Sequence, residues 1–319
     1  MTLTELKYIV AVARERHFGR AAEACFVSQP TLSVAVKKLE DELGVKLFER
    51  NSAEVSVTPL GQDIVRQAQS VLEQAAAIKE IAKRGKDPLR GPVALGIIYT
   101  IGPYLLPDLV RQMIERTPQM PLMLQENFTA RLLEMLRTGE LDCAILAEPF
   151  EHAGLAVAPL YDEPFMAAVP SHHPLAAQTS VSSEQLKNET LLLLGSGHCF
   201  RDHVLEVCPE SARFASNAEG IRKSFEGSSL ETIKHMVAAG MGVTLVPRLS
   251  VAQSALDATT SSGTGQYVKY LPVVDAHGAP PPTRRVVLAW RRSFTRFEAI
   301  AALRNAIMAC ALPGVTRLT

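Results

Sequence analysis

The sequence predicts an α/β protein in three parts: a winged helix-turn-helix head, a long linker helix and a two-lobed α/β body. Three patterns carry that prediction. Helical apolar periodicity fills roughly the first forty residues and gives way to two short alternating segments. One apolar stripe then runs from Ile64 to Ala82 in alternating steps of four and three. From Val93 onward, strand-length apolar runs alternate with amphipathic helices, the order of parallel strands joined by helical crossovers.

Composition admits this fold without naming a function. The 319 residues are 47% hydrophobic and 21% charged, with 33 basic side chains against 33 acidic ones. Such a chain is long enough for two or three cores, and its balanced charge argues for no particular partner. The opening MTLTELKYIVAVARER is charged from the start and unlike a secretory leader. No apolar run reaches the ~18 residues of a membrane helix. A cytoplasmic location with no membrane partner is the expectation. There the five cysteines, at 25, 143, 199, 208 and 310, are expected to be reduced at rest.

Leu3, Leu6, Ile9, Val10 and Ala13 place a first helix near 2–15, and GRAAEAC a short second one near 19–25. FVSQP interrupts. Ser28 suits the N-cap and Pro30 the first turn of a third helix near 30–43. Its apolar stripe is Leu32, Val36, Leu39 and Leu43. The opposite face carries Pro30, Val34 and Lys37, flanked by Thr31, Ser33 and Lys38. Short side chains let a helix sink into a major groove, Gln29 offers a two-headed amide, and lysines reach phosphates. On periodicity alone, a solvated face fits this pattern equally well. KLFER and EVSVT read as a wing around a turn at Asn51–Ala53, with Arg50 placed to reach a DNA backbone or minor groove. Thr58 and Pro59 cap and open a helix to about residue 85, whose stripe is a seam for pairing with a second copy. The expected head is 1–58 and the linker helix 59–87.

AAEACFVSQPTLSVAVKKLEDELGVKLFERN, followed by VTPLG, strongly resembles the N-terminal domain of LysR-type transcriptional regulators. The likeness spans about sixty residues. It implies double-stranded DNA with a roughly palindromic operator as the partner of this face. It also implies self-association, a dimer through the linker helix and a homotetramer by family analogy, with RNA polymerase as a further partner.

In the remainder, 92–311, VALGII, MPLMLQEN and LDCAILA are strands, and YLLPDLVRQMIER and TARLLEMLRTGE helices. LAVAPLY and PFMAAVP cross into a second lobe holding LLLLG, the helix SLETIKHMVAAGMG and the strand VTLVP. GQYVKYLPVV leads back, and TRRVVLAWRR and FTRFEAIAALRNAIMACAL close the first lobe. The expected division is a first lobe of about 92–163 plus 268–311 and a second of about 164–267, with a ligand-sized cleft between them.

GSGHCFRDHVLEVC, residues 195–208, is the segment whose chemistry needs explaining. His198, Cys199, His203 and Cys208 lack the short paired spacing of a structural metal site, so no metal is expected. A permanent disulfide suits a reducing compartment poorly. A nucleophilic cysteine, a redox switch and a pair of ordinary cysteines stay open. No Walker loop, G-x-S-x-G or dinucleotide-binding glycine pattern adds an enzyme signature. If 199–208 is one helix, the two Cα atoms lie about 13.5 Å apart. A disulfide tolerates only ~7 Å, so closing it would require this segment to refold.

SLETIKHMVAAGMGVTLVP resembles the periplasmic-binding-protein-like effector domain of the same family. TIGPYLLP, TGELDCAILA and GHCFRD with the later cysteine are similar to its peroxide-sensing members. That likeness implies hydrogen peroxide as the signal, oxidation of Cys199 and its bonding to Cys208, and neither a cofactor nor enzymatic turnover. It implies Thr100, Thr129 and His198 around the peroxide, Arg201 and Asp202 around the thiol, and one arginine of TRRVV, taken as Arg285 with Arg284 the other candidate. Two rival readings accompany it: a LysR-type regulator sensing a small metabolite in the cleft, and a thiol peroxidase.

Overall fold

The computed structural model describes residues 1–50, 55–84, 87–209, 229–256, 267–274 and 280–318. The head begins with α1 (Leu3–Glu15), α2 (Phe18–Ala24) and α3 (Gln29–Leu43). Each starts on side-chain chemistry that satisfies its free N–H groups. Thr2 and Glu5 form a reciprocal capping box. His17 Nδ1 accepts from the N–H groups of Gly19 and Arg20, and Ser28 Oγ from that of Thr31 at 3.3 Å. Leu6, Ile9, Val12, Leu32, Val36 and Leu39 fuse into one core. Leu43, expected in that stripe, is 38% exposed at the helix end. β1 (Phe48–Arg50) and β2 (Val55–Val57) pair antiparallel as the wing. The buried Glu40 carboxylate sets their start by accepting from Leu47 and Phe48 N–H. The wing turn and the Arg50 side chain lie outside the described residues.

α4 (Pro59–Arg84) opens at Thr58, whose Oγ1 accepts from Gly61 N–H at 2.9 Å. Its apolar stripe divides. Ile64, Val65, Ala68 and Leu72 pack on the head core, so part of the expected self-pairing seam is filled within the chain. Val71 and Ile78 stay exposed. Another side of α4 docks on the body. Glu73 pairs with the buried Arg291 at 2.6 Å, Ser293 Oγ donates to Glu73 at 2.8 Å, and Gln74 Nε2 donates to the Ser293 carbonyl at 2.7 Å.

In the body, β3 (Val93–Ile98), β4 (Leu122–Asn127) and β5 (Cys143–Ala147) are parallel in the order β4-β3-β5. They are linked by α5 (Gly102–Arg116) and α6 (Thr129–Thr138). The two strand segments expected after them are one strand, β6 (Leu155–Pro170). The short β7 (Val181–Ser182), α7 (Ser183–Leu186) and α8 (Cys199–Val207) follow. The LLLL run is not a continuous strand: Leu191 and Leu194 form isolated bridges, Leu191 to Val243, and Leu192, Leu193 and Leu194 are buried. α9 (Leu230–Ala238), β8 (Thr244–Pro247), α10 (Gln253–Leu256) and β9 (Val268–Val274) complete the second lobe. β10 (Thr283–Arg291) and α11 (Phe297–Ala309) return to the first, and β11 (Thr316–Arg317) adds to β6.

β6 is the spine. Its first part pairs with β10 and its second with β8 and β9, so one strand runs through both lobes. This moves the expected boundary at 268. β9 is hydrogen-bonded to the second part of β6, and Val268, Leu271 and Val273 lie in the second core. The chain returns to the first lobe at β10. There β10 runs antiparallel to β5, making the first-lobe sheet mixed rather than all parallel. No described helix is long and apolar enough to cross a membrane.

Candidate functional site

Three helix starts meet at the junction of the lobes. Thr100 lies just ahead of α5, Thr129 opens α6 behind Phe128, and Cys199 opens α8 behind His198. Helix starts present unsatisfied N–H groups and the positive end of a dipole, which together favour negative charge. Gly197 turns the chain into α8 with φ of 99°, a left-handed value suited to glycine, and a Cβ there would sit 3.3 Å from the Phe128 ring. His198 is thereby seated against Phe128, edge to face at 4.8 Å between centroids, and tilted on Tyr99 at 5.9 Å.

Arg284 ties the junction together. It is almost fully buried on β10. Its Nε donates to Glu163 Oε2 at 2.9 Å, Nη1 to Thr100 Oγ1 at 2.8 Å, and Nη2 to the Thr100 carbonyl at 3.0 Å. Glu163 is itself buried, and its other oxygen accepts from Leu249 N–H at 2.7 Å. The guanidinium also lies over the Phe200 ring at 5.1 Å. With its oxygen lone pair engaged by Arg284, the Thr100 hydroxyl has its own proton to donate elsewhere. Thr100, His198, Phe128, Tyr99 and Glu126 line a cavity of ≈ 290 Å³.

The Cys199 thiol is half-buried and packs on the first-lobe core. Burial raises its pKa. Thr129, the positive charge of Arg284 and the helix's own N–H pull in the opposite direction. The buried Thr129 Oγ1 has no hydrogen-bond partner within the described residues. The Cys199 sulfur is the neighbour on which it acts, favouring the anion. Cys208 closes the same helix and sits in the second-lobe core, where burial pushes its thiol to about 11. Nine residues take a helix through two and a half turns, so Cys208 leaves α8 on the side opposite Cys199. Both thiols are free. Cys25, Cys143 and Cys310 are buried, and burial raises each of their pKa values.

The expected residues divide accordingly. Thr100, Thr129, His198 and Cys199 come together. Arg285 does not join them. It is exposed and forms a two-bond pair with Asp162. Adjacent residues of a strand face opposite sides, and Arg284 is the one turned inward. Arg201 donates to the Leu194 carbonyl at 2.8 Å, fastening α8 to the segment before it. Asp202 is exposed, and its negative charge opposes the Cys199 thiolate rather than activating it. The sequence reading missed Glu163, and it missed a clasp between α5 and α9. In that clasp the Tyr104 hydroxyl donates to Glu231 at 2.7 Å, and Lys234 donates to the same oxygen at 2.8 Å. No spacing rule joins residues so far apart in the chain. Within the described residues, no group of three or more His, Cys, Asp or Glu side chains is arranged to hold a metal ion.

On the head, Gln29, Pro30, Thr31, Val34 and Lys37 line an exposed side of α3, and Ser33 is half-buried. Ser28 and Thr31 join hydroxyls at 2.8 Å, so both serve the helix start. Lys38 lies 3.3 Å from the Glu5 carboxylate, which leaves Lys37 the less encumbered cation. Phe26, in the turn before α3, is 93% exposed in a left-handed conformation. The sequence pattern does not single it out.

Residues 3–62 match the model of the bacterial regulatory helix-turn-helix protein, lysR family, and residues 86–310 that of the LysR substrate binding domain. The chain is 38% identical to the hydrogen peroxide-inducible genes activator of Haemophilus influenzae, over 95% of each chain. It is 39% identical to the DNA-binding transcriptional dual regulator OxyR of Escherichia coli K12, over 97% of this chain and 96% of that one. The full-length OxyR of Pseudomonas aeruginosa, solved with an aspartate substitution, superimposes with a TM-score of 0.72 at 51% identity, covering 98% of this chain and 99% of the other.

Proposed function

This chain belongs to the bacterial lysR family of helix-turn-helix regulatory proteins, and on that premise we propose that it is a DNA-binding transcriptional regulator switched by hydrogen peroxide through Cys199 and Cys208. It is a regulator, as its relatives are, and not an enzyme. The observation that carries the switch is the placement of two free thiols at opposite ends of one helix, each packed on a different core.

The chemistry balances on those two residues. The Cys199 thiolate attacks one peroxide oxygen, and the O–O bond breaks. The departing hydroxide takes a proton and leaves as water, and Cys199 becomes a sulfenic acid. The Cys208 thiolate then attacks the sulfenic sulfur, and a second hydroxide leaves as the S–S bond forms. Two thiols are oxidised by two electrons, and one peroxide is reduced to two waters. Thr100, Thr129 and His198 hold the peroxide and stabilise the departing oxygen. Arg284 orients Thr100 and adds positive charge. Because the helix separates the two sulfurs, the second step requires α8 to unwind, and that shape change is the signal.

In the same reading, α3 enters the major groove of a pseudo-palindromic operator, and Arg50 of the wing serves the backbone or the minor groove. Val71 and Ile78 on α4 supply apolar surface for pairing two copies. A cytoplasmic homotetramer contacting RNA polymerase is the assembly it entails.

Free-thiol counting on the reduced full-length protein after one equivalent of hydrogen peroxide tests the switch. Two of the five thiols are expected to disappear, and Cys199→Ser to abolish the loss. Five thiols persisting would sink the peroxide reading and leave a metabolite in the cleft as the signal. Salt titration of operator binding tests the head. Lys37→Ala is expected to reduce the slope of log affinity against log salt by about 1. Lys38→Ala is expected to change it less, because Glu5 already neutralises that ammonium.

A further inference from the structure

His203 lies between the two cysteines on α8, buried to 4% exposure. Most of α8 belongs to the second lobe, through Phe200, Val204 and Cys208. The His203 side chain reaches the other way. Its Nε2 donates to the carbonyl of Glu148 at 2.7 Å, just beyond β5 in the first lobe. The receiving peptide is itself held, because Glu148 N–H donates to the Arg285 carbonyl at 3.0 Å. The imidazole forms a three-ring cluster with Phe165, stacked at 6.5 Å, and Phe200, edge-on at 6.4 Å, which themselves meet at 5.4 Å. Its Nδ1 is buried with no partner within the described residues. The ring is therefore the neutral tautomer with the proton on Nε2, and its one hydrogen bond ties the switch helix to the opposite lobe.

We propose that His203 is a positioning residue that holds α8 in its helical, two-thiol shape, and that its bond to Glu148 must break before Cys208 reaches Cys199. The proposal rests on the disulfide reading above. His203 does not touch the reacting sulfur chemistry described there. Attack of the Cys199 thiolate on peroxide leaves α8 in place, so His203 does not limit that step. Attack of the Cys208 thiolate on the sulfenic sulfur, with loss of hydroxide, requires α8 to unwind, and His203 restrains that step alone.

The tether also responds to acid. Burial pulls the His203 pKa down, and the positive charge of Arg284 on β10 works in the same direction. The Glu148 carbonyl and the carboxylates of Glu206 and Asp202 on α8 itself oppose the shift. The neighbours on β6 and α7, Phe165 and Ser183, carry no charge. The net shift is downward, so the neutral ring stabilises the closed shape above the ordinary histidine range. That contribution is lost as pH falls through the lowered folded value. Protonation puts a second N–H where no acceptor waits, which loosens α8.

The test separates the two thiol steps in reduced full-length protein by rapid alkylation and mass spectrometry after one equivalent of hydrogen peroxide. His203→Phe keeps an aromatic ring against Phe165 and Phe200 but offers no donor. His203→Gln keeps an amide donor and does not titrate. His203→Phe is expected to close the disulfide roughly three- to tenfold faster than wild type, the span one hydrogen bond allows. His203→Gln is expected to restore the wild-type rate near neutral pH, and formation of the Cys199 sulfenic acid to be the same in all three. As pH falls from about 7 to about 5, the ratio of the wild-type to the His203→Gln closing rate is expected to rise, since the shared titration of Cys208 cancels. Equal closing rates in all three proteins, or a ratio flat with pH, overturn the role of His203 while leaving the disulfide reading intact. If His203→Phe fails to fold, the pH-dependent ratio alone decides. A wild type that never loses two thiols overturns the disulfide reading and this proposal with it.

Discussion

Replacing Arg284 with glutamine is expected to destabilise the protein by about 3–5 kcal/mol, the cost of removing one partner of a buried ion pair. The side chains of Arg284 and Glu163 are 1% and 0% exposed. The loss leaves the Glu163 carboxylate with the Leu249 N–H bond and the charge of Arg248, and leaves Thr100 without the donor that fixes its hydroxyl. Urea denaturation monitored by circular dichroism measures this as a lower midpoint with little change in slope. Arg285→Gln, on the exposed face of the same strand, is expected to leave the midpoint unchanged. The contrast tests which of two adjacent arginines belongs to the junction. Arg284→Met combined with Glu163→Leu is expected to recover much of the stability, because well-packed apolar residues replace a buried pair without an orphaned charge. It is not expected to recover peroxide reactivity. The thiol would lose the positive charge beside it, and Thr100 its orientation. A double variant that senses peroxide normally would show that Arg284 serves packing alone.

Thr129→Val is expected to slow oxidation of Cys199 by roughly ten- to a hundredfold, the range for one hydrogen bond to a charged group, because the Thr129 hydroxyl, unpartnered within the described residues of the resting structure, is available to donate to the thiolate or the departing oxygen. Valine keeps the size and branching of threonine and removes only the hydroxyl, so little is lost in packing. Thr129 Oγ1 favours the Cys199 anion against the burial that raises the thiol's pKa. Without it the thiol pKa rises further, and the rate-against-pH curve moves to higher pH. Stopped-flow measurement of the peroxide reaction across pH reads both effects. An unshifted curve with an unchanged rate would remove Thr129 from the site. The same measurement on Asp202→Asn is expected to move the curve the other way, because that carboxylate raises the Cys199 pKa.

Local rules made much of this molecule readable before its structure. Ser28 and Thr58 act as helix-starting residues because capping needs only neighbours three positions away. The stripes of α1 and α3 and the separation of Cys199 from Cys208 along one helix follow from a period of 3.6 residues. The α4 stripe was legible as apolar, but not that Ala68 packs into the head core while Val71 faces outward. Periodicity gives a face and not the identity of what covers it. Two strand segments proved to be one because β6 gains partners in both lobes, and β9 changed lobes for the same reason.

The sequence by itself determined the winged head, the long helix, the α/β body and a cysteine-bearing helix whose two thiols cannot meet while it stays wound. All of these depend on interactions within a few residues or on a repeating side-chain direction. Only the tertiary structure decided that Arg284 and not Arg285 faces the thiol, that Glu163 answers it, and that His203 reaches across to Glu148. Those contacts join residues from 55 to more than 100 positions apart, and burial sets their strength. Neither distance nor burial at such range is written in any local pattern of the chain.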